Sequence, residues 1–140
     1  MKTLILYYSY SGSTKTIAEE LAAKESAEIA EVSYVKRPWI LKAFTAGIIA
    51  SIKGKAWPIQ PIEVDFTGYD KLILLGPVWA GNTVPAFNAI LELIPEGKSV
   101  DIKLVSGSGE SACKERLEEK IKSKGSTLES FEDIKVEKKK

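Results

Sequence analysis

Apolar residues along the chain form short runs, and longer segments with helical spacing separate these runs. The short runs predict strands at Lys2–Tyr8, Ala27–Val35, Lys71–Gly76, Val100–Ser106 and Thr127–Val136. The longer segments predict helices at Ser13–Lys24, Trp39–Lys53, Pro85–Ile94 and Ser111–Lys124. Regular alternation of the two predicts an α/β fold built on a doubly wound five-stranded parallel sheet.

The end of the chain departs from this alternation. Leu128, Phe131 and Ile134 do not keep one period, and no helix pattern follows Thr127–Val136. Because a parallel sheet is normally covered on both faces, we expect an uncovered patch of sheet beside the first helix. Our hypothesis is that a second copy of the chain, in a homodimer, or the apolar segment Trp39–Ile52 covers this patch.

The turn between the first strand and the first helix has the composition of an anion site. It contains Ser9, Tyr10, Ser11, Gly12, Ser13 and Thr14. Unpaired backbone N–H groups and the helix dipole attract an anion there, and the hydroxyls can donate to phosphate oxygens. Since only Lys15 adds charge nearby, we expect a phosphate monoester rather than a polyphosphate. The alternative is a solvated turn whose Ser and Thr side chains cap the helix.

Two further loops follow the third and fourth strands, where ligands of such sheets bind. The second loop contains Pro77, Val78, Trp79, Ala80, Gly81 and Asn82, and the third contains Ser106, Gly107, Ser108 and Gly109. A tryptophan between proline and glycine is suited to lie flat against a planar ring, although it can also be a core residue. The glycines of the third loop admit a ring edge close to the backbone. Together the loops predict a site for a phosphorylated flat heterocycle.

Composition narrows the class of protein. Lys and Arg number 20 and Asp and Glu number 19, so the net charge of +1 implies no nucleic-acid partner. The chain has no histidine, which excludes histidine general bases and histidine-ligated metals, and we assign no catalytic or metal-binding residue. The single cysteine, Cys113, excludes an internal disulfide and favours a cytoplasmic location. It lies on an apolar helical stripe, which predicts a buried, inert thiol.

Length and hydropathy bound the organisation of the chain. At 140 residues it has the size of one domain. The apolar segment Trp39–Ile52 would rise about 21 Å as a helix, which is short of the roughly 30 Å hydrocarbon core of a bilayer. We therefore predict no transmembrane span.

In its three loops the chain resembles the flavodoxin-like family, and the resemblance covers nearly its whole length. The loop Ser9–Thr14 matches the family's Ser/Thr-x-Ser/Thr-Gly-x-Thr phosphate loop, and the segments beginning at Pro77 and Ser106 are similar to its flavin loops. The resemblance implies a single domain with strand order 2-1-3-4-5 and non-covalent flavin mononucleotide (FMN). It also implies that Trp79 stacks on the isoalloxazine and that Gly81 and Asn82 contact its N5 edge through the backbone.

The resemblance implies an electron-transfer protein that shuttles electrons between redox partner proteins. The alternative is an FMN-dependent NAD(P)H:quinone-type oxidoreductase, which needs an open pocket over the flavin and usually an oligomer. The chain departs from the best-known flavodoxins in its missing terminal helix and in its lack of a strongly acidic surface. A signalling receiver domain shares the sheet, but it needs carboxylates where this chain has Ser9 and Ser11. A cofactor-free interaction domain is a further alternative.

Overall fold

The computed structural model describes residues 2–9, 12–34, 59–60, 62, 64–79 and 81–136. The described strands are β1 (Thr3–Tyr7), β2 (Glu28–Glu31), β3 (Lys71–Trp79), β4 (Asn82–Thr83), β5 (Ser99–Ser106) and β6 (Thr127–Lys135). The described α-helices are α1 (Ser13–Glu25), α2 (Pro85–Leu93) and α3 (Lys114–Ser123), and a short 3₁₀ helix covers Phe66–Gly68.

The strands form a sheet in the order β2-β1-β3-β5-β6, and these pairs are all parallel. Among the described strands, the two-residue β4 alone runs antiparallel, at the end of β3. With β4 set aside, this is the predicted 2-1-3-4-5 order, so the predicted fold class is confirmed.

The central strands are buried on both faces of the sheet. On β3, Leu72 and Leu74 belong to the cluster that includes the apolar faces of α2 and α3. Ile73 and Leu75, which alternate with them, pack with Ala18 of α1 on the opposite face. Helices therefore cover both faces of the sheet, which explains why its central strands read as continuous apolar runs.

β3 is longer than predicted. It ends at Trp79 rather than Gly76, because its last residues pair with β4: Val78 lies opposite Thr83, and Trp79 lies opposite Asn82. The second loop is therefore the tip of a hairpin rather than an open loop.

α3 begins later than predicted, at Lys114 rather than Ser111. The preceding Ala112 directs its backbone N–H to the second loop, so it lies outside the helix. The predicted apolar stripe of this helix is confirmed, since Cys113, Leu117 and Ile121 are all buried.

The irregular period of the last strand has a structural cause. The register between β5 and β6 shifts once, so that Val100 pairs with Leu128 and Asp101 pairs with Ser130. This bulge places Leu128 and Phe131, three positions apart, against the same core cluster.

The sheet face beside α1 is charged where it extends past that helix. Asp101 of β5 forms an ion pair with Lys71 of β3, with 2.9 Å between Oδ2 and Nζ. Lys103 of β5 forms a second pair with Glu132 of β6, with 3.1 Å between Nζ and Oε1. Ion pairs between neighbouring strands thus line the area where we expected an apolar patch.

This observation bears on the predicted homodimer. Among the described residues, the large apolar side chains that are exposed are Ile29 on β2 and Leu93 on α2, neither of them on β3, β5 or β6. The homodimer stays a prediction, but the apolar face offered as its reason is absent from the described strands.

Several sequence predictions fall outside the described residues. They are the helix Trp39–Lys53, the apolar segment Trp39–Ile52, and the loop residues Tyr10, Ser11 and Ala80. The second strand, predicted to run to Val35, instead ends at Glu31, and Tyr34 beyond it forms an isolated antiparallel bridge with Ile59. Among the helices that the structure describes, none is both long and apolar enough to cross a membrane.

Candidate functional site

The three predicted loops meet at one edge of the sheet. A cleft of about 310 Å³ is lined by residues of all three, namely Ser13, Thr14, Pro77, Val78, Ser106 and Gly107. A second cleft of about 450 Å³ lies between the second and third loops and is lined by residues that include Val78, Gly81, Ser106, Gly107, Ser108 and Ala112. The clefts adjoin, because both are lined by Val78, Ser106 and Gly107. They form one elongated site with a helix N-terminus at one end.

Among the residues that the structure describes, no side chain caps that helix N-terminus. The N-cap of α1 is Gly12, whose φ of 101° lies in the left-handed region that favours glycine. The Gly12 N–H donates to Ser9 Oγ at 3.0 Å, which closes the turn. The next residues, Ser13 and Thr14, open the helix and line the cleft, and Thr14 is 2 % exposed. Gly12 has no side chain that could cap the helix. The first-turn N–H groups therefore receive no cap from this residue and can bind an anion.

In the second loop, neighbouring residues have different surroundings. Val78 and Trp79 are both half-buried and pack against the core cluster of α2 and α3, but of the two only Val78 lines the described clefts. The observed packing of Trp79 agrees with the core alternative, and its stacking on a ring stays a prediction.

The third loop is shaped by hydrogen bonds that converge on Ser106. The Gly109 N–H donates to Ser106 Oγ at 2.9 Å, and the Val136 N–H donates to the Ser106 carbonyl at 2.9 Å. A Cβ added at Gly109 would lie 2.9 Å from Lys135 Cβ, so this glycine allows the loop to pack against β6. Gly107 has no atom within 4 Å of such a Cβ and therefore faces open space.

A buried polar network, which the sequence patterns do not predict, lies beneath the hairpin. Arg116 of α3 donates from Nη2 to Thr83 Oγ1 at 2.8 Å. Thr83 Oγ1 donates to Asn88 Oδ1 at 2.5 Å, and Asn88 Nδ2 donates to the Thr83 carbonyl at 3.3 Å. Thr83 is 0 % and Asn88 4 % exposed. The one signal in the sequence is Asn88, an asparagine among the apolar residues of α2, since an amide in apolar surroundings needs hydrogen-bond partners.

The Cys113 thiol lies beside this network. Burial raises the pKa of Cys113 above its ordinary value, and this effect outweighs the opposing effects of Arg116 and the Thr83 backbone. The thiol is 2 % exposed, so the prediction that it is buried is confirmed. A buried thiol with a raised pKa is a poor nucleophile.

No protein-family model matches the chain, and comparison with curated proteins finds no relative. Solved structures do match. A flavoprotein from Lactobacillus acidophilus NCFM, crystallised in complex with FMN, is 27 % identical over 93 % of this chain and 91 % of that chain, with a TM-score of 0.77. The apo-form of the flavoprotein from the same organism is 26 % identical over 94 % and 92 %, with a TM-score of 0.69. Oxidised Flavodoxin 2 from Bacillus cereus is 20 % identical over 99 % and 88 %, with a TM-score of 0.55. The chain has the flavodoxin-like fold.

These neighbours confirm the resemblance to the flavodoxin-like family that the three loops indicate. The strand order and the position of the loops at one sheet edge are those that the resemblance implies. The flavodoxin-like chain therefore places its glycine- and serine-rich loops beyond the carboxyl ends of parallel strands, where sheets of this class bind ligands.

The structure brings together most of the described residues that the sequence singled out. Those that line the clefts are Ser13, Thr14, Pro77, Val78, Gly81, Ser106, Gly107 and Ser108. Others shape the loops without lining the clefts among the described residues, namely Ser9, Gly12, Trp79, Asn82 and Gly109. The clefts also contact Glu110, Ser111 and Ala112, which follow the predicted third loop directly.

Proposed function

We propose that this flavodoxin-like protein binds FMN non-covalently and carries electrons between redox partner proteins. The observation that supports this most directly is the cleft lined by Ser13 and Thr14 together with residues of the second and third loops. The crystallised complex of a flavoprotein of 27 % identity with FMN agrees with the proposal. When bound, FMN supplies reversible electron-transfer chemistry, which the surrounding residues tune.

The size and chemistry of the site fit this cofactor. The clefts, of about 310 Å³ and 450 Å³, lie in the range of small-molecule sites. The phosphate would lie against the N-terminus of α1 at Ser13 and Thr14, where backbone N–H groups and the helix dipole favour an anion. The isoalloxazine would occupy the larger cleft, with Val78 as an apolar wall and the glycines at its edge.

The residues of the site have separate tasks in this proposal. Thr14 and Ser13 bind and orient the phosphate end. Val78 excludes water from one side of the larger cleft. Gly81 holds the hairpin tip in a left-handed conformation, with φ of 78°, that keeps its carbonyl on Ala112.

The test of the FMN site is a pair of titrations with purified apo-protein, using quenching of flavin fluorescence. FMN is expected to bind more tightly than riboflavin, which lacks the phosphate. Thr14→Ala should weaken FMN binding by about tenfold, the cost of one charge-assisted hydrogen bond, and leave riboflavin binding nearly unchanged. Thr14→Ser keeps the hydroxyl and should retain most of the affinity. Absence of FMN binding, or equal losses for both flavins, would contradict the site.

A quinone-type oxidoreductase is the second candidate, and one observation favours it. Among the described residues that line the larger cleft, none is aromatic, so no described ring covers the cleft mouth. Small residues such as Gly107 and Ser108 leave room for a second flat molecule. Rapid turnover of NADH or NADPH with a quinone by the FMN-loaded protein would favour this enzyme. Slow turnover with rapid electron exchange between proteins would favour the carrier.

We propose a single flavodoxin-like domain over residues 1–140 and a location in the cytoplasm, on the composition of the chain. Redox partners would approach the edge where the three loops meet, since the isoalloxazine would be nearest to the surface there.

A further inference from the structure

We infer that Arg116 is a positioning residue for the second loop, and this inference rests on the proposed FMN site. Arg116 lies on α3 and contacts neither cleft in the described lining. Its guanidinium reaches Thr83 of β4, 33 residues away in the chain, with 2.8 Å between Nη2 and Oγ1. Arg116 therefore acts on the site through the hairpin that carries the second loop.

The guanidinium fixes the direction of the whole network. Arginine only donates hydrogen bonds, so Thr83 Oγ1 accepts from Arg116 and must direct its own proton to Asn88 Oδ1. The Asn88 amide is then oriented with Nδ2 toward the Thr83 carbonyl. Because Thr83 is 0 % exposed, its hydroxyl cannot readily replace Arg116 with water.

The network is connected to the residues of the larger cleft. Thr83 lies opposite Val78 in the hairpin pair, and Val78 lines both clefts. The Ala112 N–H, just before α3, donates to the Gly81 carbonyl at 2.7 Å. The start of α3 therefore holds the hairpin at its tip and at its base. Loss of Arg116 should loosen the flat-ring end of the site and leave the helix N-terminus at Ser13 unchanged.

The experiment compares Arg116→Met, which keeps much of the side-chain length but no donor, with Arg116→Lys, which keeps the charge and a donor. The probes are FMN, riboflavin and inorganic phosphate, each titrated against the apo-protein. Arg116→Met should weaken riboflavin and FMN by the same factor, about tenfold, and leave phosphate affinity unchanged. Arg116→Lys should restore most of the flavin affinity.

A second pair of variants changes Thr83, the hydrogen-bond partner of Arg116. Thr83→Val removes the hydroxyl at nearly constant volume, and Thr83→Ser keeps it. Arg116→Met added to Thr83→Val should cause little further loss, because the bond is already absent. If Arg116→Met fails to fold, the two Thr83 variants decide. Loss of flavin affinity in Thr83→Val but not in Thr83→Ser supports the inference, and equal flavin affinity in the two variants overturns it.

Failure of this inference is distinguishable from failure of the proposed function. Suppose that the wild-type protein binds FMN and that Arg116→Met has the same FMN and riboflavin affinities as the wild type. This result overturns the inference and leaves the proposed function intact. A parallel loss of phosphate affinity overturns the inference too, since it indicates general damage. If the wild type binds no flavin, amide hydrogen exchange at Gly81 and Asn82 still decides: faster exchange in Arg116→Met than in Arg116→Lys supports positioning, and equal exchange overturns it.

Discussion

The backbone N–H of Ala112 donates a hydrogen bond of 2.7 Å to the carbonyl of Gly81. This contact joins the second loop directly to the segment that follows the third. Gly81 adopts a φ of 78°, in the left-handed region that is costly for residues with a Cβ. The orientation of the hairpin tip thus depends on a glycine backbone and on one donor from across the cleft.

Gly81→Ala should therefore destabilise the fold by about 1–2 kcal/mol, the cost of a left-handed conformation in a residue with a side chain. Steric overlap is not the cause, because the added Cβ would lie 3.6 Å from Ala112 Cβ, an ordinary contact. Urea denaturation of the apo-protein measures the free energy of unfolding. Gly107→Ala is the matched control, since its Cβ would meet nothing within 4 Å, and it should change stability by less than about 0.5 kcal/mol. Equal losses in both variants would refute the argument.

Ser13→Asp separates anion binding from helix stability. A carboxylate in the first turn of α1 interacts favourably with the helix dipole, so stability should hold or rise by about 0.3–1 kcal/mol. The same charge repels a phosphate in the adjoining cleft, so FMN affinity should fall by at least about tenfold while riboflavin affinity stays within about twofold. Ser13→Asn is the uncharged control. Unchanged FMN affinity in the Asp variant would place the phosphate elsewhere.

Tyr34 supplies a hydrogen-bond acceptor inside the core. Its Oη accepts from the Ala86 N–H, in the first turn of α2, at 2.9 Å. Tyr34→Phe leaves this buried donor unsatisfied and should cost about 1–3 kcal/mol. Tyr7 is the comparison, because its hydroxyl donates to Glu31 near the sheet edge at 2.9 Å, and Tyr7→Phe should cost about 0.5–1.5 kcal/mol. Thermal and urea unfolding at pH 7 measure both, and a larger loss for Tyr7→Phe would contradict this ranking.

The same tyrosines predict a loss of stability at high pH. Burial raises the pKa of Tyr34 and of Tyr7 well above the ordinary value of 10.0, so both phenols stay neutral in the folded state. Above pH 10 the unfolded chain releases these protons while the folded chain keeps them, and the free energy of unfolding falls as pH rises. Chemical denaturation between pH 8 and about 11.5 should show this decline, and each Phe variant should flatten it. A slope that is identical in wild type and variants would exclude the two tyrosines as its source.

The two ion pairs on the sheet face beside α1 should contribute differently to the free energy of unfolding. Asp101 is 8 % exposed and its Oδ1 has no hydrogen-bond partner among the described residues, so it depends on Lys71. Lys71→Met should cost about 1–3 kcal/mol, because it leaves a buried carboxylate unpaired. Lys103→Met is the control, since its partner Glu132 has a side chain 55 % exposed, and its cost should be below about 1 kcal/mol. Denaturation curves that show equal costs would argue against burial as the deciding factor.

Most of the fold could be predicted from hydrophobic patterning, because element order constrains a parallel sheet strongly. Two features of the sheet that differ from the prediction have signals in the sequence. Asp101 and Lys103 alternate with the apolar residues of β5, which predicts one polar face on that strand. The broken period at Leu128 and Phe131 is typical of a bulge.

The candidate site was predictable only in part. Its loops are local segments, and strand topology brings them to one edge regardless of detail. The contact of Arg116 with Thr83 depends on how two elements 33 residues apart pack, and no local pattern encodes such a pairing. The same holds for Trp79 and Val78, since which of them lines the clefts depends on the unpredicted hairpin.

Within β3 there is no space for a side chain at Gly76, where an added Cβ would lie 2.7 Å from Phe87 Cδ2. The aromatic ring fills the volume that any other residue would need. Libraries that randomise the neighbouring hairpin to alter ligand preference should therefore keep this position fixed. Where a larger residue is recovered at Gly76, we expect a compensating reduction in size at Phe87 in the same clone.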